Sequence, residues 1–184
     1  ILHAFFFSNL ILANSIGIET GLEVPRYVSL KSNDSNIRVG PSKNYPIAIK
    51  YKINNFPIKI IEEYEDWRKI IDYEYNTGWI HKSLIKGDRS VIVISSNNKN
   101  IYIFNTMEGK KIGEVSDKTI LNLHKCKLNW CLVSKNNSKG WIEKKYLWGV
   151  KSNEIFNINI FQFFNDLLII SHNQIEKILL KYFF

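Results

Sequence analysis

The sequence predicts an all-β protein built from two related small modules and a helical tail. Three observations carry that prediction. Short apolar runs with strand-like alternation are separated by turn residues at close spacing. A set of landmarks then recurs: Asn36-Ile37-Arg38 with Asn100-Ile101-Tyr102, Trp67 with Trp130, and Gly78-Trp79-Ile80 with Gly140-Trp141-Ile142, at offsets of 64, 63 and 62 residues. Self-similarity at a near-constant period marks duplication. After residue 150 the apolar residues change to helical spacing.

Residues 1–15 read as a secretory signal with a truncated start. An apolar run from Ala4 to Ala13, broken by Ser8-Asn9, leads to the small-x-small triplet Ala13-Asn14-Ser15. The chain begins at Ile1 and lacks a basic leader. The run is too short to cross a bilayer, so no transmembrane span is expected. Cleavage after Ser15 would make Ile16 the mature N-terminus.

Residues 16–27 hold Gly17, Gly21 and Pro25 without a sustained period, which predicts an extended lead-in. The first module spans 28–87. Ile37 and Val39 fall on one face of a strand and Arg38 on the other. Gly40-Pro41-Ser42 turns the chain. Strands follow at Pro46 to Tyr51, at Phe56 to Tyr64, at Trp67 to Ile71 and at Gly78 to His81, with a short helical turn over Lys82 to Ile85. The second module spans 88–150 and opens on Val91-Ile92-Val93-Ile94, a run suited to a strand buried on both faces. Units this small are marginal alone, so the copies are expected to pack together across a linker near Gly87-Asp88. The tail, 151–184, carries Ile160, Phe163, Phe164, Leu167 and Leu168 at helical spacing. Three readings stay open for it: a helix docked on the modules, which is favoured, a membrane-surface or partner helix, or an appendage without function.

Of the 184 residues, 45% are hydrophobic and 23% charged. That composition supports packed cores and excludes wholesale disorder. The formal charge is +8, but only four basic residues are arginine and the other 21 are scattered lysines. This reads as solvated surface rather than a phosphate-binding face, so no nucleic-acid partner is expected.

The residues also argue against an enzyme. Glu62, Glu63, Glu65 and Asp66 cluster at one hairpin and read as a solvated tip, not as a general acid–base pair poised beside a cleft. His3, His81, His124 and His172 are dispersed. No glycine loop cradles a phosphate. No catalytic residue, cofactor or metal site is predicted. Cys126 and Cys131 leave three readings: a bridge across a hairpin, two reduced thiols, or a metal site with His124 as the only further ligand nearby.

Binding is the better expectation. The first copy offers a series of aromatic residues, and such grooves hold extended peptides between aromatic walls. Tyr45, Trp67 and Trp79 are the candidate walls, and Arg38 the candidate clamp for a peptide carboxylate. Against this, Trp79 would fill a core, Trp67 would cover its rim, and Arg38 would pair with the acidic hairpin.

The runs Glu23-Val24-Pro25-Arg26-Tyr27-Val28-Ser29-Leu30-Lys31-Ser32, Asn36-Ile37-Arg38-Val39-Gly40-Pro41, Asp66-Trp67-Arg68, Gly78-Trp79-Ile80, Cys126 to Cys131 and Leu147-Trp148-Gly149-Val150 can be taken together. In combination they resemble the tandem bacterial SH3 (SH3b-type) proteins of the alphaproteobacterial periplasm. The resemblance covers about residues 21–150. It implies two tandem SH3-like β-barrels, export to the periplasm or outside the cell, no catalytic centre, and a disulfide between Cys126 and Cys131. It also implies a peptide or cell-wall component as ligand. An envelope scaffold, or a module for a protein partner acting through the inter-barrel cleft or the tail, is the alternative. The second copy departs by placing Tyr102 where Arg38 is matched, which would deprive it of the clamp.

Overall fold

The computed structural model describes residues 15–96, 99–107 and 109–157. The expected signal, apart from Ser15, and residues 158–184 of the expected helical tail lie outside the described residues. The chain divides into two compact units between Gly87 and Asp88. Each contains one seven-stranded sheet in which every pairing is antiparallel.

In the first unit the strands are β3 (Arg26–Leu30), β4 (Ser35–Arg38), β5 (Ile47–Tyr51), β6 (Pro57–Tyr64), β7 (Trp67–Ile71), β8 (Thr77–His81) and β9 (Ile85–Lys86). Their order across the sheet is β5-β4-β8-β7-β6-β3-β9. The second unit has β10 (Ser90–Val93), β11 (Ile101–Phe104), β12 (Lys111–Val115), β13 (Ile120–Lys127), β14 (Trp130–Lys135), β15 (Ser138–Glu143) and β16 (Leu147–Trp148), in the same order, β12-β11-β15-β14-β13-β10-β16. A 3-10 turn precedes the last strand of each, at Lys82–Leu84 and Lys144–Tyr146.

Alternation builds both cores. In the first, Leu30, Ile37, Ile58, Ile60, Ile70 and Ile80 are fully buried. In the second, Val91, Val93, Leu121, Cys126, Cys131, Val133 and Ile142 form one cluster. Cys126 and Cys131 face each other across the β13–β14 hairpin and are joined by a disulfide. All four residues of β10 are buried, as expected for a strand covered on both faces. Gly78 and Gly140 mark equivalent close approaches. A Cβ on Gly78 would sit 2.5 Å from Ile37 Cγ2 and 2.8 Å from the Arg38 carbonyl oxygen; on Gly140 it would sit 2.3 Å from Ile103 Cγ2 and 3.0 Å from that of Phe104. Neither position has room for a side chain.

Four expectations need correction. Residues 16–27 are not a plain extended lead-in. Ser15–Ile16 (β1) pairs with Glu23–Val24 (β2) as a small hairpin, and Arg26 already belongs to β3. Val39 does not share a face with Ile37: β4 ends at Arg38 after a register shift, leaving Val39 59% exposed while Ile37 is buried. The landmark offset of 64 residues misaligns β4 with β11. Arg38 pairs with Trp79 and Phe104 pairs with Trp141, both after a bulge, so the counterpart of Arg38 is Phe104 and not Tyr102. Finally, the described start of the tail, 151–157, is not helical and belongs to the second unit, where Phe156 forms a bridge with Cys126.

Candidate functional site

The four candidate ligand residues of the first unit fall into two environments. Trp67 and Trp79 keep only 8% and 9% of their surface exposed. Trp67 packs edge-on to His81, with ring centroids 5.4 Å apart, and Trp79 takes the edge of Tyr64 at 6.5 Å. Lys69 lies over the Trp79 ring and pairs with Glu62 at 3.0 Å. Both indoles are thus largely covered by their own sheet.

Arg38 and Tyr45, by contrast, are brought together at the turn that joins β4 to β5. Arg38 Nη1 donates to the Tyr45 carbonyl at 2.6 Å. The Tyr45 ring lies flat on Gly40, where a Cβ would come within 2.7 Å of three ring carbons. Val39 N–H donates to the Pro46 carbonyl and Tyr45 N–H to that of Ser42, which closes the loop. Tyr45 remains 46% exposed. Arg38 has no carboxylate partner among the described residues, so the pairing with the acidic hairpin expected from sequence is absent. A guanidinium fixed through one nitrogen keeps its other N–H groups available for a carboxylate. Beside it, β5 is the edge strand of the sheet.

The acidic hairpin is where sequence reasoning missed most. Glu63 is not solvated; it is 6% exposed and takes Arg26 at 2.7 Å and Arg68 at 3.5 Å. It also accepts the backbone N–H groups of Glu19 and Thr20 at 3.0 Å and the Thr20 hydroxyl at 2.7 Å. Burial pushes this carboxyl up, but the hydrogen bonds from Thr20, Arg26 and Glu19 outweigh it and hold it at about 2. The carboxylate is therefore the anchor of the N-terminal hairpin.

The second unit has a comparable anchor built from a lysine. Lys144 is 6% exposed and donates to the carbonyls of Leu128, Ser152 (3.1 Å) and Glu154 (2.9 Å). Burial lowers its pKa, partly offset by the charge of Glu154. Arg89 grips the Glu154 carboxylate through both Nη atoms, at 2.9 and 3.2 Å. Together these tie residues 151–157 to the disulfide hairpin. Among the described residues no cluster of His, Cys, Asp or Glu could hold a metal. Nor is any described helix long and apolar enough to cross a membrane.

A family model described as the bacterial SH3 domain matches residues 31–87 and again 97–149. The chain belongs to the bacterial SH3 domain family. The two matched stretches hold six of the seven strands of each sheet, all but β3 and β10, and the all-β fold is consistent with two tandem SH3-like domains. No curated protein matches the chain. Two solved structures share some likeness: an NlpC/P60 family protein from Bacillus cereus (14% identity, TM-score 0.30) and NlpC1 from Trichomonas vaginalis (13% identity, TM-score 0.28). The matches cover 68% and 75% of this chain but only 57% and 49% of those proteins.

Proposed function

We propose that this bacterial SH3 protein is an exported, non-catalytic binding module that recognises an extended peptide bearing a carboxylate, with a cell-wall peptide as the ligand class. The observation that carries the reading is the Arg38–Tyr45 turn. It holds a guanidinium, without a carboxylate partner among the described residues, on the backbone carbonyl of Tyr45, whose ring is exposed, beside the edge strand β5. A peptide could add along such an edge through its main chain while its carboxylate meets Arg38. Trp79 flanks Arg38 on the same face and Trp67 lies two strands away, both covered by neighbouring side chains rather than open to ligand. Bacterial SH3 domains are peptide- and cell-wall-binding modules, which favours this class of ligand. Export, to the periplasm or beyond, rests on the apolar N-terminal run and on the family resemblance.

The test is NMR titration of the full chain with muropeptides. Shifts at Arg38, Tyr45 and the amides of β5 are expected. Shifts confined to the second unit, or none, would refute the reading.

A further inference from the structure

The register of the two sheets allows their outer faces to be compared position by position. In the first unit a row of directly opposed residues runs Arg38, Trp79, Lys69, Glu62 across β4, β8, β7 and β6. In the second the same row runs Phe104, Trp141, Leu132, Lys125 across β11, β15, β14 and β13. The rows on either side correspond as well. Thr77-Ile71-Lys59 becomes Lys139-Ser134-Asn122, and His81-Trp67-Tyr64 becomes Glu143-Trp130-Lys127.

The exchanges change the chemistry of the face. In the first unit the Glu62–Lys69 pair and the ring of Tyr64 close over Trp79. In the second, leucine replaces that lysine and lysine replaces both the glutamate and the tyrosine. Trp130 and Trp141 are consequently half-buried where Trp67 and Trp79 are buried. Phe104 meets the edge of Trp130, with ring centroids 5.5 Å apart, and the two rings join Trp141 and Leu132 in one apolar ridge. Lys125 holds its ammonium 5.5 Å from the Trp141 ring. Neither Lys125 nor Lys139 has an ion-pair partner among the described residues. Glu143 is held by Lys145 at 2.6 Å, and Glu114, at the β12 end of the face, is held by Lys111, which is opposed to Phe104. Residues 88–157 carry 12 Lys and Arg against 6 Asp and Glu, whereas residues 15–87 carry 11 against 9.

We propose that this outer face of the second unit binds an acidic polysaccharide. The site is separate from the Arg38–Tyr45 turn and does not rest on it. Sugar rings would lie on the ridge of Phe104, Trp141 and Leu132, and their carboxylates would meet Lys125 and Lys139. Charge complementarity selects an anionic ligand. The half-buried indoles and Phe104 present apolar area on which sugar rings can rest. Strands β11, β13, β14 and β15, which carry the ridge and both lysines, are paired on both sides, so none of them offers a free edge for strand addition by a peptide.

The experiment is NMR titration of the full chain with oligogalacturonate, with a neutral malto-oligosaccharide as control. The indole signals of Trp130 and Trp141 are expected to move with the acidic sugar only, and less at high salt. The double variant Lys125→Gln/Lys139→Gln should keep a folded spectrum and bind about tenfold more weakly, at about threefold per exposed pair. Lys69→Gln, at the matching row of the first unit, should bind as the parent does. An absent response, unchanged affinity in the double variant, or a stronger response to polyglutamate, a single-stranded oligonucleotide or anionic vesicles would overturn the proposal.

Discussion

The Arg26 guanidinium meets the Glu63 carboxylate at 2.7 Å, and the same carboxylate caps two backbone N–H groups of the N-terminal hairpin. One buried charge thus fixes a segment more than 40 residues upstream in sequence. Because the carboxyl is held at about 2 against an ordinary value of 4.5, its stabilising contribution is complete above about pH 4.5. It is lost as pH falls toward 2. Glu63→Gln should therefore cost about 3 kcal/mol at pH 7, and the gap to the parent should close on acidification. Thermal unfolding of the two proteins across pH 2–7 measures this; a gap independent of pH would contradict it.

Lys144 serves three carbonyls from a buried position. Lys144→Met keeps the apolar stem and removes every donor. It is expected to cost about 2 kcal/mol through unsatisfied carbonyls. Amide exchange should quicken at 152–156 and not in β4 or β5. Uniform acceleration through both units would argue against a local clasp.

The disulfide between Cys126 and Cys131 closes a loop of very few residues. Its loop-closure contribution is about 2 kcal/mol. Chemical unfolding with and without reductant should differ by that amount in the second transition, leaving the first unit's transition in place.

Gly78 and Gly140 are each pressed against a neighbouring strand at the same point of the fold. Alanine at either position should destabilise its own unit by about 1–3 kcal/mol, by overpacking. Denaturant titrations of G78A and G140A, followed unit by unit, test the equivalence of the two sheets.

The strands were legible in the sequence because alternation and turn residues are local signals. β5, β6, β7 and β8 fall where the patterns place them, as does the 3-10 turn at Lys82. Two failures share one cause, that partners distant in sequence decide the outcome. Glu63 looked like part of a solvated tip because its partners Glu19, Thr20 and Arg26 belong to another segment. Tyr102 looked like the counterpart of Arg38 because a fixed offset cannot register an insertion. Seven positions separate Leu30 from Ile37, but ten separate their counterparts Val93 and Ile103. Of the candidate site, residue type and turn position singled out Arg38 and Tyr45, but not the hydrogen bond that joins them. Covered tryptophans were the alternative weighed against a ligand role; which side chains cover Trp67 and Trp79, namely Tyr64, Lys69 and His81, was not legible, because they come from neighbouring strands.

The central claim is that Arg38 receives a peptide carboxylate at the β4–β5 turn. Its most direct test is the affinity of a cell-wall stem peptide for the parent chain, for Arg38→Lys and for Arg38→Gln, measured by calorimetry. The account predicts an affinity about tenfold weaker for the lysine variant, which cannot make a bidentate contact, and weaker still for glutamine. Equal affinity across the three proteins, each with an unchanged fold, would contradict it.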